Sequence, residues 1–196
     1  MGFGGREFRI DEQQIRHRVG ELARQISSDY RGKDPLFVCV LRGAALFCAD
    51  LVRLVDFRLK VDFIAVASYG SATASSGQVQ LIKDLDHSIR GVHVVLVEDI
   101  VDTGLTASYL VDNLYNRGPA SLRVCSLLSK PSRRKVNVTI DYLGLEIPNR
   151  FVVGYGLDWN QRYRNLPFLT SLGESSNPSG NQDAEEGIPS GGRNQS

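Results

Sequence analysis

The chain has 196 residues, 42% of them hydrophobic and 23% charged, with a formal net charge of +1. These values suit one soluble domain with a sizeable core and a tail, and the near-neutral balance argues against a strong unspecific grip on nucleic acid or an anionic membrane. The N-terminus MGFGGREFRI lacks a signal-peptide core, and the longest apolar runs are strand-length, short of the roughly 20 residues that span a bilayer.

Residues 10–32 open on Asp11 as a candidate N-cap. Ile15, Val19, Leu22, Ile26 and Tyr30 then recur at spacings of three and four, one apolar helical face that Gly32 can end. Residues 36–41 read as a buried strand, broken by Arg42-Gly43, and 44–55 as a helix. Residues 59–67 alternate as a strand buried on at least one side. Residues 68–80 are rich in Ser, Gly, Ala and Thr, cannot anchor in a core, and are expected to form a mobile lid. Residues 92–97 form an unbroken apolar strand, 105–117 a helix ended by Gly118-Pro119, and 121–128 another strand; 142–145 and 151–153 are shorter apolar runs. Strands alternate with helices, which predicts an α/β fold with a mostly parallel sheet and helices on both faces. The domain is expected to span 1–173, and the polar stretch 174–196 to be a disordered tail.

Cys39, Cys48 and Cys125 each lie in an apolar stretch, and no C-x-x-C pair occurs. They read as buried small hydrophobes, and a reducing cytoplasm fits them. His17, His87 and His93 form no ligand spacing, and Arg133-Arg134-Lys135 reads as a solvated turn whose place after Lys130 leaves room for a contact to phosphate.

The chemistry concentrates in VVLVEDIVDTGLT, 94–106. A buried strand runs into Glu98 and Asp99, and two adjacent carboxylates are costly to bury without a task. In an open α/β sheet, ligands bind at the C-terminal ends of the strands. Asp102, Thr103, Gly104, Leu105 and Thr106 follow and lead into a helix. The glycine admits close approach, the threonines offer hydroxyls, and a helix N-terminus offers free N–H groups to a phosphate. Asp102 or Thr103 alone would be a turn with a helix cap; the whole string points to a phosphate site. Neither a G-x-x-x-x-G-K-[ST] loop nor a G-x-G-x-x-G turn after a strand is present.

VLVEDIVDTGLT resembles the phosphoribosyl-diphosphate signature of the type I phosphoribosyltransferases. The resemblance covers most of 11–172, with VLRGA, ASYG, LLSKPSRR and FVVGYGLDWNQRYRNLP following in order. That set is similar to the hypoxanthine-guanine phosphoribosyltransferases. The resemblance implies a small hood region formed by the termini. It implies transfer of a phosphoribosyl group from phosphoribosyl diphosphate to a 6-oxopurine base, with Mg2+. By the same resemblance, Glu98 and Asp99 hold the ribose hydroxyls, directly or through magnesium. Residues 102–106 cradle the 5′-phosphate, and Asp102 takes the proton from purine N7. Leu41, Arg42 and Gly43, a loop of unusual peptide geometry, bind pyrophosphate with Arg164. Lys130 donates to the purine oxygen, Phe151 stacks on the base, and Val152 reads its edge through the backbone. Asp158 binds a second magnesium, and Ser68 and Tyr69 open the lid. A homo-oligomer, dimer or tetramer, is implied as well. Leu105 stands where some relatives carry lysine or arginine. Two other readings share the 94–106 string. One is a regulator that keeps the donor site without catalysis; the other is a transferase for pyrimidine or adenine.

Overall fold

The computed structural model describes residues 8–69 and 78–172. Its centre is β5 (His93–Val101), in which Val94 to Val97 are buried on both faces. A strand with no polar side must lie inside a covered sheet. The main sheet runs β4-β3-β2-β5-β6-β7, where β2 is Leu36–Leu41, β3 Lys60–Tyr69, β4 Gln78–Lys83, β6 Ser121–Ser129 and β7 Tyr142–Glu146. Every pairing is parallel except β3 with β4. The expected α/β class therefore holds. A second, antiparallel sheet, β1-β9-β8, joins Arg9–Ile10, Leu169–Ser171 and Val152–Val153. It brings the two ends of the described chain together as the hood.

Helix α1 (Glu12–Asp29) starts as its sequence directs. Asp11 accepts from the Gln14 N–H at 2.8 Å while the Gln14 side chain accepts from the Asp11 N–H at 2.9 Å, a closed capping box. Ile15, Val19, Leu22 and Ile26 are all buried. They pack with α2 (Ala45–Val52) over Val95, Val97 and Leu127 on one face of the sheet. Helix α3 (Leu105–Tyr115) covers the other face, with Leu110 and Leu114 against Val38, Leu96 and Val124. Cys39, Cys48 and Cys125 are buried and free, and no helix of the described residues is long and apolar enough to cross a membrane.

Three expectations need correction. The 68–80 segment is not one loop. Ser68 and Tyr69 pair with Val79 and Gln78, so β3 and β4 form an edge hairpin. Backbone hydrogen bonds hold such an edge, and polar side chains on it mask the strand. The rest of the expected lid, 70–77, lies outside the described residues, as do the side chains of Ser68 and Tyr69 and the expected tail 174–196. The strand placed at 92–97 runs on to Val101, because β6 pairs with Glu98, Ile100 and Val101 along the way. The helix placed at 44–55 ends at Val52.

The side chain of Leu110, 0% exposed, fixes the helix that leads out of the 94–106 string. Leu110→Ala should lower stability by about 2–5 kcal/mol in urea unfolding monitored by circular dichroism.

Candidate active site

The parallel strands β2, β5 and β6 end on the same edge of the sheet, so the segments that follow them meet there. The acid pair sits within the last turns of β5. Glu98 is 4% exposed, and its Oε1 has no hydrogen-bond partner. Burial pushes its carboxyl well above the usual range, and the neighbouring Asp99 charge adds to the shift. Burial also raises the Asp99 carboxyl, to about 6. The Ile100 N–H, 2.9 Å from its Oδ1, and the nearby Arg164 charge oppose that shift; Asp158 adds to it.

The 41–43 loop lies directly against Asp99. The Leu41–Arg42 peptide is cis, the unusual geometry implied for this loop. A methyl group on Gly43 would collide with the Asp99 carboxylate, and one on Gly156 would collide with the Gly43 carbonyl. Gly43 is thus held between the Asp99 carboxylate on one side and Gly156 on the other. Arg42 is exposed and donates to Gln161 Oε1 at 3.1 Å.

Gly156 belongs to a tightly coiled loop. Gly154, Tyr155, Gly156, Asn160, Gln161 and Tyr163 all have positive φ. Within it Asp158 pairs with Arg164 at 2.6 Å and accepts from the Gln161 N–H at 2.8 Å. Arg164 also donates to the Gly156 carbonyl at 2.6 Å. Asp158, Arg164, Gly43 and Asp99 therefore form one cluster, fed by strands far apart in sequence.

The turn after β5 leads into the start of helix α3. Gly104 has φ +87°, and its Cβ position lies 2.5 Å from the Val136 carbonyl, so no other residue fits without movement. The Thr103 carbonyl accepts from the Lys135 and Val136 N–H groups at 2.9 and 3.2 Å. The segment 134–136 thus braces the turn. Helix α3 begins with no side-chain cap and no acidic residue in its first turn, and N–H groups at such a start await an acceptor.

Asp102 is held by two cations. Lys130 Nζ lies 3.3 Å from one carboxylate oxygen and Arg133 Nε 2.8 Å from the other. Lys130 is buried, at 6% exposed, so its charge faces the site rather than bulk water. Arg133 also reaches Asn149 at 3.4 Å. It thereby spans from the phosphate turn to the segment before Phe151. The Phe151 ring is 43% exposed, whereas Val152 is buried in β8. An uncovered ring next to buried backbone offers a stacking face.

The expectation of a solvated Arg133-Arg134-Lys135 turn holds for Arg133 and Lys135, which are exposed, but not for the half-buried Arg134. Arg133 pairs with Asp102, and Arg134 donates to Ser129 at 2.7 Å. Gly156, Gln161 and Asn149 were not foreseen either. The placement of the basic run directly after Lys130 was the available signal for the arginines. Among the described residues, no three of His, Cys, Asp and Glu converge as a cage for a metal ion. Such a site suits a hard cation that keeps waters and ligand oxygens and takes only one or two carboxylates. The idle buried Glu98 Oε1 is an acceptor of that kind.

Acids suited to a vicinal diol, an uncapped helix start for phosphate and a backbone-lined loop for a second anion define a protein that handles a phosphorylated sugar. The model of the phosphoribosyl transferase domain matches residues 9–160, and the chain belongs to this family. Within it, the chain is 51% identical over 169 residues to the hypoxanthine-guanine phosphoribosyltransferase of Mycobacterium bovis, covering 83% of this chain and 84% of that one. It is 48% identical over 163 residues to the Bacillus subtilis enzyme of the same name, covering 83% and 91%. A crystal structure of a hypoxanthine-guanine phosphoribosyltransferase from Bacillus anthracis, with a HEPES molecule in its active site, superposes with a TM-score of 0.79. It shares 45% identity and covers 83% of this chain and 96% of that one.

The raised carboxyls make stability depend on pH. Each group favours the folded chain below its ordinary range, about 4, and loses that contribution as pH climbs through its folded value. For Asp99 that value is about 6, and Glu98 is raised as well. The melting temperature of the ligand-free protein should therefore fall as pH rises from about 4 past about 6. In Glu98→Gln the fall should be shallower. Equal slopes in calorimetric scans of the two proteins would contradict this.

Proposed function

We propose that the chain is a hypoxanthine-guanine phosphoribosyltransferase acting in purine salvage. It transfers the 5-phosphoribosyl group from phosphoribosyl diphosphate to N9 of hypoxanthine or guanine. The products are IMP or GMP and pyrophosphate. The observation that carries the reading is the Asp102–Lys130 pair, a carboxylate and a buried ammonium 3.3 Å apart at the phosphate turn.

In the reaction the bond from ribose C1′ to the pyrophosphate oxygen breaks, and a bond from C1′ to purine N9 forms. Asp102 accepts the proton released from N7, as a positioned general base does. Lys130 donates to the exocyclic oxygen at C6. An ammonium has only donors, so it suits a carbonyl and leaves an amino group unmatched, which selects against adenine. Phe151 stacks on the base, and the backbone of Val152 reads its edge. Thr103, Gly104, Leu105 and Thr106 bind the 5′-phosphate with Asp102 at the head of α3. Leu41, Arg42 and Gly43 bind the departing pyrophosphate with Arg164, whose fork matches paired phosphate oxygens. Glu98 and Asp99 hold the ribose diol and support positive charge developing at C1′. Glu98 and Asp99 would hold one magnesium ion on the ribose side and Asp158 a second beside the pyrophosphate, where such ions would neutralise the diphosphate. Ser68 and Tyr69 lead into a lid that keeps water from the donor.

We also assign the chain to the cytoplasm, as a homo-oligomer. Its substrates are phosphoribosyl diphosphate and a 6-oxopurine, with neither nucleic acid nor a membrane as partner. Val61 and Phe63 on β3 and Ile82 on β4 are 41%, 40% and 60% exposed, which gives a second copy an apolar surface to cover.

Purified protein with magnesium and phosphoribosyl diphosphate should convert hypoxanthine or guanine to the nucleotide and leave adenine unchanged. Binding of the donor with no turnover of hypoxanthine, guanine or xanthine would support a donor-sensing regulator instead. Asp102→Asn should lower kcat by about 10²–10⁴-fold while donor affinity changes little; parallel loss of both would remove the general-base role. Lys130→Ala should raise the KM for the base and spare that of the donor, as steady-state kinetics with each substrate varied will register.

A further inference from the structure

Arg134 stands beside the phosphate turn with a charge that nothing in the described structure neutralises. Its Nη2 donates to Ser129 Oγ at 2.7 Å. Its Cδ lies 3.1 Å from the position a Cβ would take on Gly104, so the side chain runs along the start of α3. Its Nη1 is buried with no hydrogen-bond partner. Arg133 pairs with Asp102 and Arg164 with Asp158, while Arg42 is exposed to solvent and donates to Gln161. A guanidinium keeps its proton in a protein, so a buried donor nitrogen on an unpaired cation is a standing cost. An anion bound close by relieves it.

The turn beside it carries no cation of its own, and its one charged residue, Asp102, is an acid already paired with Lys130 and Arg133. Helix α3 has no side-chain cap, and Leu105 and Thr106 at its start are neutral. On the proposed reading, this is where the 5′-phosphate of the donor sits. We propose that Arg134 is the positioning residue of the phosphate turn: held by Ser129 and packed on Gly104, it supplies the positive charge that draws the phosphate monoester end of the substrate to 102–106. Nη1 is out of reach of solvent, so Arg134 acts through the turn and not from the open cleft. The bond to Ser129 also ties this charge to the residue before Lys130. One side of the base pocket and the phosphate cradle are thereby set by the same short segment. This inference rests on the phosphoribosyl-transfer reading and adds a residue to it.

The test uses the full chain and ribose 5-phosphate as probe, with binding followed by calorimetry and both substrates varied in kinetics. Arg134→Met should weaken ribose 5-phosphate, and raise the donor KM, by about tenfold or more, since a close charge is lost from a partly buried anion site. The base KM and kcat should stay within about twofold, because uniform binding of the donor alone is affected. Arg134→Lys, which keeps the charge, should recover most of the loss. A folded Arg134→Met protein that binds ribose 5-phosphate like the parent overturns the proposal. So does an Arg134→Lys protein as weak as Arg134→Met. If Arg134→Met does not fold, Ser129→Ala, which leaves the arginine unanchored, must raise the donor KM and spare the base KM; equal loss of both overturns the proposal. Thr106→Val separates the two readings. If it weakens ribose 5-phosphate while Arg134→Met does not, only the role of Arg134 falls. If the parent protein does not bind ribose 5-phosphate, the assignment of the turn falls with it.

Discussion

The constraint on which this structure depends is the desolvation of two neighbouring carboxylates. Glu98 and Asp99 stand in the last part of the most deeply enclosed strand, Glu98 buried and Asp99 half-buried. Burying a carboxylate without partners drives it toward its neutral form. The surroundings answer the two differently. Asp99 receives a backbone N–H and the field of Arg164, while one oxygen of Glu98 is left idle. A ligand with hydroxyl donors, or a cation, finds there an acceptor already in place and already dry.

Around that pair the charges are divided into two groups. On one side Asp158 and Arg164 neutralise each other at 2.6 Å next to the 41–43 loop. On the other, Asp102 is shared between Lys130 and Arg133 at the phosphate turn. Each group is an ion pair that a substrate can replace in kind: phosphate oxygens for a carboxylate, a carbonyl for an acceptor. Such exchanges keep the protein groups hydrogen-bonded in both states, which limits the reorganisation demanded by binding.

The parts of the fold with a period or a long apolar run could be read from the sequence. Helix α1 is visible in Ile15, Val19, Leu22 and Ile26 because one face is buried and the other wet. β2 and β5 are visible because parallel strands covered on both faces carry nothing polar. The 94–106 string is legible because acids within such a strand contradict the rule that marks the strand. The remainder was hidden for separate reasons. β4 is an edge strand whose Gln78, Gln80 and Lys83 look like loop residues. β1 and β8 have two residues each and β9 has three, too few for any alternation. Arg134 looks like an ordinary surface residue in a basic run, and only the return of the chain onto Thr103 and Gly104 turns it inward; Arg133 stays exposed and reaches Asp102 from the surface. Asn149 meets Arg133 across sixteen residues, a pairing that no local pattern encodes.

The contact of Gly156 with Gly43 is backbone on backbone, and Gly43 in turn lies against the Asp99 carboxylate. Gly156 follows β8, a strand of the hood, and the adjacent Tyr155 is anchored through its hydroxyl to Asp50 of α2 at 2.6 Å. At Gly156 and Gly43 hood and main sheet meet backbone on backbone, while Ile10, Val152 and Leu169 of the hood pack by their side chains into the core of the main sheet. At the glycine contact the spacing is set by atomic radii, so a displacement of the hood there moves the 41–43 loop and the Asp99 carboxylate it touches. The three positions are therefore a single mechanical part distributed over three distant stretches of chain, and the hood cannot be exchanged for another without replacing the loop it rests on.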